Sequence, residues 1–149
     1  MHLFLENIIP TLVSLWMGNY KGLDEGCEEY VIADHIWEEI GLETVASMPY
    51  LPSAFGRKLL NIYTSRGLYT AEAWSVWFLF LAPHLLANRF RDDKYYYHAM
   101  DLREIMKSTL KFKNFREDID QELRELIITW IDLYEECVQV CSDCPKTNC

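Results

Sequence analysis

Hydrophobic residues recur along this chain at the three- and four-residue spacing of helices, and no run alternates as a half-buried strand would. The clearest period follows Phe115, with acidic residues early and charges of both signs between the apolar positions. The residues predicted to form its buried stripe are Ile119, Leu123, Leu126, Ile127, Trp130, Ile131, Tyr134 and Val138. The pattern therefore predicts a long amphipathic helix in the last third of the chain.

Three shorter helices are predicted in the first half of the chain. The first ends near Met17, where the glycines of the following segment indicate a loop. The second begins with Asp34 as its N-cap and stops before Pro49. The third opens at Pro52 and Ser53, and its apolar and terminating residues are Phe55, Leu59, Leu60, Ile62, Ser65, Arg66 and Gly67.

Two further helices complete the prediction. Thr70 caps a fourth helix that is apolar nearly all round and is kinked or shortened by Pro83. Asp92 and Asp93 open a fifth, whose predicted buried stripe is Ala99, Leu102, Ile105, Met106 and Leu110. The expected fold class is all-α, with about six helices in a single irregular bundle. A helical domain over residues 1–138 would precede a flexible, cysteine-containing tail over residues 139–149.

Composition and charge narrow the compartments and the binding partners that we expect for this chain. The chain has 149 residues, half of them hydrophobic, and its formal charge is −9, which disfavours autonomous binding to phosphate backbones. Five cysteines and no signal peptide favour a reducing compartment, so we expect an intracellular protein of the nucleus or cytoplasm, not a secreted one. No apolar run reaches the ~20 residues that span a bilayer, and no membrane association is expected.

Catalytic motifs are missing from the sequence. It contains neither a glycine-rich phosphate loop nor a His-Glu-x-x-His zinc motif, so no cofactor is expected. His35 and Glu39 stand four residues apart and His98 and Asp101 three apart, so each pair could act as a base and its orienting acid. Pairing on a helix surface explains the same spacing without a nucleophile, and we favour it.

Two other clusters are weaker candidates for binding sites. Four cysteines fall in the last thirteen positions and could hold zinc, but their spacing is irregular and free thiols are favoured: Cys137, Cys141, Cys144 and Cys149. Residues 107–116 carry four cations and no acid, interleaved with two phenylalanines: Lys107, Lys111, Lys113 and Arg116. They could contact nucleic acid, although cations also suit the end of a helix. The run of Tyr95, Tyr96 and Tyr97 is expected to leave an aromatic ring exposed.

Several phrases of the sequence resemble one family. They are MHLFLENIIP at residues 1–10, WMGNYKGLD at 16–24, WEEIG at 37–41, AEAWSVW at 71–77 and DLREIMKST at 101–109, with Phe90, Arg91, Tyr95 and Tyr96 between them. Together they resemble fungal DNA transposases of the CACTA/EnSpm type, up to about Val138.

The resemblance implies a role within a larger enzyme. Such transposases use an RNase H-like core in which three acids hold two divalent metals such as Mg²⁺, with a helical insertion between the second and third acids. This chain resembles that insertion, and His2 matches the histidine of the Asp-x-x-His motif that carries the second acid. We therefore expect a truncated, catalytically inactive fragment. Flanking genomic DNA that encodes the missing aspartate and glutamate would check this.

Two alternatives stay open at this point. The chain could be a free-standing helical module that binds a protein partner through an exposed apolar face. A weaker alternative is nucleic-acid contact through residues 107–116, which the net charge opposes.

Overall fold

A computed structural model describes residues 3–20, 28–51, 58–110 and 117–139. Within these ranges every regular element is helical and there is no strand, which confirms the all-α class. The α-helices are α1 (Ile9–Trp16), α2 (Asp34–Ala46), α3 (Ile62–Ser65), α4 (Ala71–Val76), α5 (Ala82–Leu85), α6 (Asp93–Leu110) and α7 (Glu117–Gln139). Their contacts divide the chain into two compact units, Met1–Arg91 and Asp92–Cys149, which are described in turn. Beyond Gln139, the predicted tail lies outside the described residues.

The first helix ends where it is predicted to end. A π-helical turn, Leu3–Ile8, leads into α1, and Met17 forms its C-cap. Gly18 then adopts a φ of 64° and donates its backbone N–H to the Leu15 carbonyl at 2.8 Å. This left-handed conformation costs glycine little, so Gly18 terminates the helix.

Helix α2 begins one residue earlier than a capping Asp34 would require. The N-cap position is Ala33, and Asp34 is the first helical residue, so the predicted cap is wrong. As the first-turn residue, the Asp34 carboxylate still complements the positive end of the helix dipole. The fully buried Trp37 donates its indole N–H to the Trp16 carbonyl at 3.2 Å, which ties α2 to the end of α1.

The prediction of the third helix is largely wrong. Residues 58–61 are not helical, and α3 is a single turn that starts at Ile62; residues 52–57 lie outside the described part of the chain. The side chain of Asn61 caps this turn, accepting hydrogen bonds from Tyr63 N at 2.9 Å and Thr64 N at 3.2 Å. A capping asparagine fixes the start of a helix after itself, so Leu59 and Leu60 remain outside the helix.

The fourth predicted helix is continuous but not uniform. Thr70 caps α4 as predicted, accepting a hydrogen bond from Ala73 N at 3.3 Å. A π-helical turn, Trp77–Leu81, joins α4 to α5, and the second residue of α5 is Pro83. In a regular α-helix the ring of this proline would clash with the carbonyl four residues earlier, and a π turn alters the spacing at that point.

Two hydrogen bonds anchor this helical segment in the core of the first unit. Trp77 is fully buried and donates its indole N–H to Thr44 Oγ1 at 3.1 Å. The Thr44 hydroxyl in turn donates to the Ile40 carbonyl at 2.7 Å. Buried polar groups on α2 and on the π turn therefore satisfy each other, as a closely packed core requires.

The second unit contains α6 and α7, which pack on each other. Asp92 Oδ1 accepts a hydrogen bond from Lys94 N at 2.9 Å, so the predicted acidic start of α6 is confirmed. The predicted stripe of α6 is buried at Ala99, Leu102, Ile105 and Met106. In α7 Trp130 is the one buried residue among the described side chains, and Leu123, Ile127 and Tyr134 are half-buried.

The predicted stripe of α7 is therefore too wide. Leu126 and Ile131 are exposed, and the side chains of Ile119 and Val138 lie outside the described residues. A single facing helix covers only a narrow row of residues at spacings of three and four, which leaves the flanks of a wider apolar stripe open. None of the helices in the described ranges is long and apolar enough to cross a membrane.

Candidate functional site

Two reciprocal hydrogen bonds join the helices of the second unit. Trp130 Nε1 donates to the backbone carbonyl of His98 at 2.9 Å. The Nε2 atom of His98 lies 3.1 Å from the backbone carbonyl of Trp130, so its N–H donates in return. A carbonyl oxygen can only accept, which places the proton of a neutral His98 on Nε2.

The same side chains form an aromatic stack. The rings of His98 and Trp130 lie 4.6 Å apart with only 8° between their planes. Tyr134 continues the stack one turn along α7, with its ring 5.6 Å from that of Trp130. Stacking and the two hydrogen bonds together fix the separation and the register of α6 and α7 at this level.

The environment of His98 favours its neutral form. Burial lowers the pKa of His98 below its usual value, and this outweighs the opposing effects of the hydrogen bond to Trp130 and the negative charge of Asp101. Nearby, Lys94 and Glu136 are the other charged residues of the same cleft. The imidazole is therefore uncharged near neutral pH and serves as a packed hydrogen-bond donor.

We expect the second unit to lose stability as the solution is acidified. Above the unfolded pKa of His98, near 6.5, the imidazole is neutral in both states and stability is intact. Below it the unfolded chain binds a proton that the folded chain resists, so stability falls by at most about 1.4 kcal/mol per pH unit towards the lower folded pKa. Urea unfolding between pH 5 and 8, followed by hydrogen exchange of α6 amides, measures this slope.

Two variants isolate the contribution of His98 to that pH dependence. In His98→Gln the slope between pH 5 and 7 should be much flatter, because the titrating group is gone. His35→Gln removes a histidine of the first unit and should leave the slope measured at the α6 amides as in the parent chain. Equal slopes in His98→Gln and the parent chain would contradict the assignment.

A cleft of about 390 Å³ opens between α6 and α7 beside this stack. It is lined by Lys94, Tyr95, Tyr97, His98, Asp101, Leu133 and Glu136. The Lys94 ammonium lies 3.5 Å from Asp92 Oδ2 and 4.8 Å from the centre of the Tyr95 ring, so its charge is partly balanced at the start of α6. Among the described residues, Asp101 and Glu136 form no salt bridge.

Apolar side chains extend from this cleft along the surface of α7. Leu133 lines the cleft and is 40% exposed, and Leu126, two turns earlier on the same side of α7, is 48% exposed. On α6, Tyr97 lines the cleft and is 62% exposed, which confirms the expectation of an exposed ring in the tyrosine run. We call Tyr97, Leu126, Leu133 and the cleft the α6–α7 groove.

The two histidine pairs do not behave as predicted. His98 is buried and bonded to Trp130, so surface pairing with Asp101 is the wrong interpretation, although the charge of Asp101 acts on the histidine. Glu39 instead accepts a hydrogen bond from Arg89, which also donates to Glu43 at 2.9 Å. The sequence could not indicate these partners, because Trp130 and Arg89 lie far from them along the chain.

The remaining predicted sites are only partly described. Lys107 Nζ lies 2.8 Å from Glu104 Oε1, so an acid of the preceding turn offsets its charge. Lys111, Lys113 and Arg116 lie outside the described residues, as does His2. The same is true of the side chains of Cys137, Cys141, Cys144 and Cys149. In the part of the chain that is described, no three His, Cys, Asp or Glu side chains are grouped to hold a metal.

Comparison of the chain with protein-family models, with curated proteins and with solved structures finds no match. The transposase resemblance therefore stays a prediction from the sequence phrases, and the α6–α7 groove is the feature on which a functional proposal can rest.

Proposed function

We propose that this chain is a helical protein-interaction module that binds an amphipathic helix of a partner protein in the α6–α7 groove. The observation that carries the proposal is the continuity of apolar surface: Leu133 and Tyr97 both line the cleft and are both exposed. Scattered exposed apolar residues are ordinary, but a row beside a concave cleft is typical of a binding site. The resemblance to a transposase insertion is compatible with this role and remains a proposal from sequence.

The shape of the groove favours a helix as the bound element. Leu126 and Leu133 lie seven residues apart on α7 and so form a ridge along two turns. A partner helix with apolar residues at the same spacing could lie along this ridge and place one side chain in the cleft. Extended peptides are usually bound by sheet edges, and the described residues contain no strand.

The stack beneath the groove makes its floor rigid. His98 and Trp130 hold the two helices together by reciprocal hydrogen bonds and a close ring contact. A surface whose backbone is already fixed loses less conformational entropy on binding, so more of the contact energy contributes to affinity. The groove is therefore preorganised to receive a partner.

A designed peptide tests this proposal. The probe is a 20-residue helix-forming peptide with leucines at helical positions i, i+3 and i+7 and arginines beside them. We expect Leu126→Ser and Leu133→Ser each to weaken its binding about tenfold, since each removes roughly the burial energy of one leucine. Isothermal titration calorimetry measures the affinity, and shifts of backbone amide NMR signals locate the bound peptide.

The matched control is Leu42→Ser, which removes an exposed leucine from α2 in the first unit. It should leave peptide affinity unchanged. Equal affinity of the parent chain and the Leu133→Ser variant, or amide shifts confined to residues 3–91, would refute the α6–α7 groove as the binding surface.

A further inference from the structure

We infer that the partner helix is cationic and that the cleft of the α6–α7 groove receives one of its arginine or lysine side chains. This inference rests on the proposed function and adds the chemistry of the partner. It is carried by two acidic residues that line the cleft, by the apolar and aromatic character of its walls, and by the charge of α7.

The cleft carries negative charge that no salt bridge among the described residues balances. Asp101 contributes one carboxylate from α6 and Glu136 another from α7, and neither forms a salt bridge among the described residues. The cation in the lining, Lys94, is engaged with Asp92 and the Tyr95 ring. An incoming guanidinium or ammonium would thus meet two carboxylates among the residues that line the cleft.

The walls of the cleft suit the aliphatic part of an arginine or lysine side chain. Arginine and lysine have long aliphatic stems that pack along apolar surface while the charged end remains near carboxylates or water. Leu133 and the tyrosine rings of the lining supply that apolar surface. The face of the exposed Tyr97 ring can also attract a cation through its quadrupole. A neutral side chain would not gain this attraction.

The charge of α7 disfavours a second copy of this chain as the occupant of the α6–α7 groove. Glu117–Gln139 contains eight acidic residues and one arginine. Two copies that met along α7 would bring like charges together, which costs affinity and slows association. A cationic helix is instead drawn towards this face before contact, and its association is faster at low salt.

The experiment compares two peptides that differ only in charge. The first is the arginine-containing probe described above; in the second each arginine is replaced by citrulline, which keeps the shape and removes the charge. We expect the parent chain to bind the cationic peptide about tenfold or more tightly at low salt, with the difference shrinking as salt is added.

Single carboxylate variants locate the effect. Asp101→Asn and Glu136→Gln should each weaken the binding of the cationic peptide roughly three- to tenfold and leave the binding of the citrulline peptide unchanged. Glu38→Gln and Glu72→Gln make the same change in net charge at exposed positions of α2 and α4, and should have little effect. Circular dichroism confirms that each variant keeps its helices.

The outcomes separate this inference from the proposed function. If both peptides bind equally and Leu133→Ser weakens both, the α6–α7 groove binds helices but the cationic partner is refuted. If Glu38→Gln weakens binding as much as Glu136→Gln, the attraction is general and the cleft assignment is wrong. If neither peptide binds, the proposed function falls, and with it this inference. If light scattering shows self-association that Leu133→Ser abolishes, the occupant of the α6–α7 groove is a second copy of this chain. Both the proposed function and this inference would then be wrong.

Discussion

Replacing Trp130 with alanine is expected to lower the free energy of unfolding of the second unit by about 3–5 kcal/mol, the range for deleting a large buried aromatic side chain. Trp130 is the one buried residue of α7 among the described side chains, and its neighbours on the same face of that helix are only half-buried. Its loss also removes the ring stacked on His98 and the donor to the His98 carbonyl. We expect α6 and α7 to separate well below the unfolding temperature of the parent chain.

Hydrogen exchange of α6 amides in increasing urea measures this effect locally. Ile128→Ala is the matched control, because Ile128 is on the same helix but 59% exposed, and it should change stability by less than about 0.5 kcal/mol. Trp130→Phe keeps a stacking ring and loses the N–H donor, so its effect should lie between the two. A Trp130→Ala variant as stable as Ile128→Ala would show that α7 is held by residues outside the described ranges.

The helical period of the sequence is sufficient to predict α7 and to place Trp130 on its buried face. It could not give the width of the buried stripe, because the period reports which residues share a face and not how many neighbouring helices cover that face. Trp130 was placed correctly, while Leu126 and Ile131 were predicted to be buried and are exposed. The exposed Leu126 belongs to the α6–α7 groove, so a residue that the period assigns to the core contributes to the proposed binding surface.

The candidate site was predicted in part. Sequence spacing identified His98 and Asp101 as neighbours on one helix, and both line the cleft. The spacing could not show that His98 turns inward to a backbone carbonyl 32 residues away, nor that Glu136 approaches from α7. Partners that distant depend on how two helices pack, and side-chain spacing within one helix carries no information about that.

The other long-range contact that local sequence conceals is between Gly41 and Asn61. A glycine inside α2 looks like a weak point, because alanine favours a helix interior by about 1 kcal/mol. A Cβ atom added at Gly41 would overlap Asn61 Oδ1 and lie 2.8 Å from Cγ and from Nδ2 of that side chain. The side chain of Asn61 occupies this space in order to cap α3.

Gly41→Ala is therefore expected to destabilise the first unit, by about 1–4 kcal/mol, since the strain of overpacking and the loss of the α3 cap together exceed the gain in helix propensity. Thermal unfolding followed by circular dichroism measures the change. Gly67→Ala is the matched control: a Cβ there meets nothing within 4 Å, so it should be neutral or stabilising by roughly 0.4–1 kcal/mol.

The decisive comparison is Gly41→Ala in a chain that already carries Asn61→Gly. Glycine is tolerated at an N-cap with little loss and has no side chain to overlap the new methyl group. In that background Gly41→Ala should change sign and become stabilising, because only the helix propensity of alanine remains. A coupling of this size is expected of residues in contact and not of distant residues that share no partner. If Gly41→Ala were equally destabilising in both backgrounds, the close approach of α2 to Asn61 would be wrong.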